Sequence, residues 1–133
     1  MPYQTTFVDD GRCVIITGSG VVLGSEILTA ARAITEHVQG GKSLTRGWVD
    51  LSDVTELRVT RDDMHMIAAE NRFAATLSPQ IVVAVIASQD LAFGMARMWE
   101  AMMAMSNWQT HVFRDRQQAQ TWLDMDADQR SSE

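Results

Sequence analysis

The chain has 133 residues, the length of one ordinary domain, and 46% of them are hydrophobic, so a core that needs neither disulfides nor structural metals is expected. Its formal net charge of −6 excludes the basic face that nucleic acid or an anionic membrane surface requires. The lone cysteine, Cys13, excludes an internal disulfide and sits beside the apolar run Val14-Ile15-Ile16, where it reads as a small core hydrophobe. The opening Met-Pro-Tyr-Gln-Thr-Thr lacks a basic stretch leading into an apolar one, and no apolar run approaches membrane-spanning length. A cytoplasmic protein without membrane insertion is the expectation.

Tyr3 to Val8 reads as a first strand. Asp9-Asp10-Gly11 is a tight-turn signal, because Asp and Gly supply the positive φ values that hairpins need. Arg12 to Thr17 then reads as a second strand, so the chain opens with a hairpin. Gly18-Ser-Gly20-Val-Val-Leu-Gly24 reads as a glycine-rich turn from strand to helix, where phosphate loops occur. Its G-x-G-x-x-x-G spacing is one residue too long for the dinucleotide fingerprint, and no Lys-Ser/Thr pair follows it.

Ile27, Ala31, Ile34 and Val38 recur at helical spacing and predict a helix over Ser25–Val38, ended by Gly40-Gly41. Gly47–Leu51 reads as a short third strand. Thr60-Arg-Asp-Asp63 carries a threonine cap and first-turn acids, and predicts a helix to about Ala75. After Pro79, the apolar run Ile81–Ala87 reads as a strand buried on both faces. Asp90 opens a helix to about Met105, Gln109–Phe113 is a fifth strand, and Asp115 caps a last helix burying Ala119, Trp122 and Leu123. One domain over residues 1–124 is expected, with residues 125–133 as a polar, acidic, fraying tail.

Alternation of strands and helices implies parallel pairing through right-handed crossovers. The expected fold is α/β: a mixed, mainly parallel five-stranded sheet with four helices in the order β-β-α-β-α-β-α-β-α.

Carboxylates gather where strands should end: Asp50 and Asp53 after the third, Asp90 after the fourth, Asp115 after the fifth. Such rims host acid/base or metal chemistry in open α/β sheets. Turns explain Asp50 and Asp53, and helix caps explain Asp90 and Asp115, more economically. His37, His65 and His111 share no ligand spacing, and nothing points to a cofactor.

Two helices have apolar residues on more than one side. In the second, Met64, Ile67, Ala68, Asn71 and Ala75 form the main stripe, and Met66, Phe73 and Leu77 a second one. In the third, Leu91, Met95, Met98, Met102 and Met105 read as the core stripe, leaving Phe93, Ala96, Met103 and Ala104 on another side. A helix with two apolar sides is deeply buried or has a second partner. The second sides, marked by Met66, Phe73, Phe93 and Met103, are therefore expected to form a homodimer interface or to line a groove for a small apolar ligand.

The chain resembles the small bacterial SpoIIAA-like proteins, which share the fold of anti-sigma-factor antagonist (STAS) domains. The resemblance spans about Arg12 to Leu123. It rests on Val14-Ile-Ile-Thr-Gly18, Val49-Asp-Leu-Ser-Asp-Val54, Asp90-Leu-Ala-Phe-Gly-Met-Ala-Arg97, and Val112-Phe-Arg-Asp115 with Ala119 and Trp122-Leu123. In true antagonists an Asp-Ser pair opens the helix after the Asp-Leu-Ser strand, and its serine is a phosphorylated switch. Register places Arg58 and Val59 at that pair, followed by Thr60, so the phosphoacceptor serine is missing. Some relatives are similar to lipid-carrier domains. The resemblance implies a non-enzymatic interaction or regulatory module; the alternatives are a domain binding a small, lipid-like apolar ligand and an enzyme using the carboxylate rim.

Overall fold

The computed structural model describes residues 2–125. The expected tail beyond Met125 lies outside the described residues. The order is β1 (Tyr3–Val8), β2 (Cys13–Leu23), α1 (Gly24–Gln39), β3 (Arg46–Arg58), α2 (Arg61–Leu77), β4 (Val82–Ile86), α3 (Asp90–Met103), β5 (Gln109–Phe113) and α4 (Arg116–Asp124). The five strands form one sheet in the sequential order β1-β2-β3-β4-β5; β1 runs antiparallel to β2 and all other neighbours are parallel.

Sequential order explains the layers. Each right-handed crossover that steps in the same direction drops its helix on the same face of the sheet. Hence α1, α2 and α3 share one face, over Val14, Ile16, Val83, Val85 and Val112. The helix after the last strand, α4, folds back across the other face and buries Ala119, Trp122 and Leu123 on Ala84 and Ile86.

The hairpin turn forms as expected. Asp9 and Asp10 take φ of 54° and 56°, and the Gly11 amide donates to the Val8 carbonyl at 3.0 Å. Gly11 is required there: its φ is +82°, and a Cβ would meet the His37 ring at 2.9 Å. His37 Nε2–H donates to the Gly11 carbonyl at 2.7 Å and its ring stacks on Phe7, tying the end of α1 to the hairpin.

The segment Gly18–Leu23 corrects the expected turn: it is strand. β3 runs on to Arg58 and gives Ser19–Leu23 a backbone partner along Asp53–Arg58, with bulges between Thr17 and Ser19 and between Gly20 and Val21. Asp50 and Asp53, expected in a turn, are therefore strand residues as well.

A second correction concerns α3. Its buried residues are Ala92, Ala96 and Met103. Leu91, Met98 and Met105, expected in the core, are exposed, and Met103, expected on an outer side, has no accessible surface. Ala92 and Ala96 let the helix lie close to the sheet, and Trp99 fills the space beside them. Among the described residues, no helix is long and apolar enough to cross a membrane.

Candidate functional site

The carboxyl ends of β4 and β5, and the middle of β3 beside them, carry the polar cluster anticipated at the rim. Asp50 is buried on the α4 side of β3. Its Oδ2 accepts from Arg116 Nε at 2.6 Å and its Oδ1 from the Ser52 amide at 2.9 Å. Burial pushes this carboxyl's pKa up, but the bonds from Ser52 and the Arg116 guanidinium outweigh it and hold the group below the ordinary range. Asp53 is exposed, 4.0 Å from the same guanidinium. At the far end of α4, Arg46 donates to the Leu123 carbonyl at 2.6 Å. Two strand residues of β3 thus clamp both ends of α4.

Asp90 belongs to a separate pair. The residue expected to cap α3 is its first helical residue instead, and the cap position is Gln89. Asp90 accepts from Arg114 Nη1 at 2.8 Å, while Arg114 also donates to the Ser88 carbonyl at 3.2 Å and lies 4.0 Å over the Phe93 ring. Asp115 caps α4 by accepting from the Gln118 amide at 2.8 Å. Each of these carboxylates is committed to an arginine or a helix end. Among the described residues, no three His, Cys, Asp or Glu side chains come together as metal ligands.

The start of α2 is a capping box. Thr60 Oγ1 accepts from the Asp63 amide and the Asp63 carboxylate accepts from the Thr60 amide, both at 3.0 Å. Asp63 lies flat against Gly24 at the start of α1, where a Cβ would come within 2.6 Å of its Cγ. Val59, the other switch-position residue, is half-buried and turned inward.

The outer surfaces of α2 and α3 carry two apolar ridges. Met66 is 51% exposed and Phe73 48%, seven residues apart on one line of α2, with Leu77 continuing it. On α3 the ridge is Leu91 (63%) and Met98 (41%), again seven residues apart, and Met105 (90%) lies in the turn just past the helix end. Phe93 and Met103 do not join them. Phe93 is half-buried beneath Arg114, and Met103 is core. The signal that identifies the α3 ridge is the pair of alanines opposite it, which marks the sheet-facing side.

Sequence reasoning missed a cavity. Between the sheet and the three helices lies a space of about 100 Å³, bounded by Val49, Leu57, Ala96, Met95, Trp99 and Asn71 among others. Asn71 was legible as a polar residue on the core stripe of α2; the void around it was not.

No family model matches the sequence, and no curated protein matches it. Solved structures do match. One is an uncharacterised protein of the DUF3478 family with a SpoIIAA-like fold from Shewanella loihica PV-4, at 13% identity and a TM-score of 0.57, covering 91% of each chain. Another is the anti-sigma factor antagonist SpoIIAA in its unphosphorylated form, at 10% identity and a TM-score of 0.55, covering 90% of this chain and 93% of that one. The fold is SpoIIAA-like, as the sequence resemblance implied.

Proposed function

We propose that this protein is a non-enzymatic interaction module of SpoIIAA-like fold that self-associates as a homodimer through the outer ridges of α2 and α3. The carrying observation is the exposure of Met66, Phe73, Leu91 and Met98 on two neighbouring helices, with Met105 exposed just past the end of α3. Monomers avoid large exposed apolar patches, and methionine and aromatic residues are favoured at interface centres. Each ridge carries one pair seven residues apart, Met66 with Phe73 and Leu91 with Met98, so a two-fold arrangement can seat each ridge of one copy in the furrow between the ridges of the other. The likeness to an anti-sigma factor antagonist supports a regulatory role. In this chain residues 56–63, Glu-Leu-Arg-Val-Thr-Arg-Asp-Asp, hold no serine, and Thr60 serves as a helix cap. Regulation would therefore run through partner exchange rather than a serine switch.

Light scattering coupled to size exclusion tests the proposal. The wild-type chain should elute at twice its mass of 14.8 kDa, and Phe73→Glu or Met98→Glu at that single-chain mass with an unchanged circular dichroism spectrum. A wild-type monomer, indifferent to both substitutions, would overturn it.

A further inference from the structure

We propose that the cavity beneath α1, α2 and α3 is a binding site for a small neutral organic molecule that carries one hydrogen-bond acceptor, held by the side-chain amide of Asn71. Three observations point there. Val49 lies on the central strand between buried partners, Ile16 and Val85, yet stays half-exposed. No helix side chain fills the space above it. The small residues Ala30, Ala31 and Ala96 line that space and leave it open.

The second observation is Asn71, which is 6% exposed and lines the same cavity. The Trp99 indole N–H donates to its Oδ1 at 3.0 Å, which fixes the orientation of the amide, since an indole can only donate. The amide NH₂ is then turned away from Trp99 and donates to no protein atom among the described residues. No fully enclosed polar side-chain atom of the described residues lacks a partner, so this NH₂ reaches open space. An amide donor with no protein partner and open space before it is free to donate to a ligand oxygen.

The third is the chemistry of the rest of the wall. Trp108 donates its indole N–H to the Ser78 carbonyl, so it offers the cavity only apolar surface. Tyr3 also lines the space, and burial pushes its phenol pKa up, so it adds no charge there. No charged side chain lines the space. An ion would enter without a counter-charge, which excludes carboxylates and amines as ligands. The volume limits size: an engineered cavity of roughly 150 Å³ takes benzene. A space of about 100 Å³ therefore suits a ketone or alcohol smaller than a fatty acyl chain.

Acetone and its isostere 2-methylpropene, which replaces the carbonyl oxygen by a methylene and like acetone is smaller than benzene, are the probes. Binding to the wild-type protein is followed by nuclear magnetic resonance at the Trp99 indole N–H. Acetone should shift that signal saturably and bind about tenfold more tightly than the hydrocarbon, the worth of one buried hydrogen bond. Asn71→Leu should erase the preference, and Val49→Phe, which fills the space, should abolish binding of both. The comparison of the two probes on the wild-type chain stands even if either variant fails to fold. No shift of the Trp99 signal by either probe overturns the site, and equal affinity for the two overturns the role of Asn71.

Discussion

Replacing Met103 by alanine tests the packing of α3 directly, because the structure exchanges the sides that the sequence pattern suggests. Met103 has no accessible surface, whereas Met98, five residues earlier on the same helix, is 41% exposed. Truncating a fully buried methionine removes its burial and leaves a void, a loss of about 2–5 kcal/mol. For a domain whose total stability is about 5–15 kcal/mol, a loss near 3 kcal/mol lowers Tm by about 10 °C. Met98→Ala gives up a side chain already partly in water and should cost less than about 1 kcal/mol. Urea titration followed by tryptophan fluorescence and circular dichroism measures both. Any loss at Met98 that arises from a dimer interface depends on protein concentration, while the loss at Met103 does not, so each variant is measured at two concentrations. A larger, concentration-independent loss for Met98→Ala than for Met103→Ala would refute the packing of α3 described above.

Two further outcomes follow from the polar groups. The folded protein holds the Asp50 carboxyl below its ordinary value of 3.8, so its contribution to stability is complete above about pH 4 and is lost as pH falls through the folded pKa. Asp50→Asn should remove that part of the acid-unfolding slope, measured as urea midpoints between neutral pH and about pH 3; an unchanged slope would count against the Asp50–Arg116 clamp on α4. Thr60→Ala removes the acceptor for the Asp63 amide and should cost about 0.5–2 kcal/mol in the same titration, and no loss would show that the cap carries no stability.

Local chemistry was legible in the sequence. The Asp9-Asp10-Gly11 hairpin, the Thr60 and Asp115 caps and the bounds of β1 and β5 depend on residues within a few positions of one another. Their signals are intact in any short window of sequence. The SpoIIAA-like fold was legible too, through the alternation of elements and the motifs that resemble that family.

Tertiary structure alone decided the rest. The extension of β2 through Gly18–Leu23 exists because β3 supplies backbone partners from more than thirty positions away, and no local signal carries a distant strand's length. On α3 both sides are apolar, so periodicity cannot choose between them; the choice rests on which residues fit against the sheet, and the alanines fit. Asp50 reads as a turn residue until Arg116, 66 positions on, is brought to it. The cavity around Asn71 is visible in no sequence pattern, because a void is set by what three helices and a sheet jointly fail to fill.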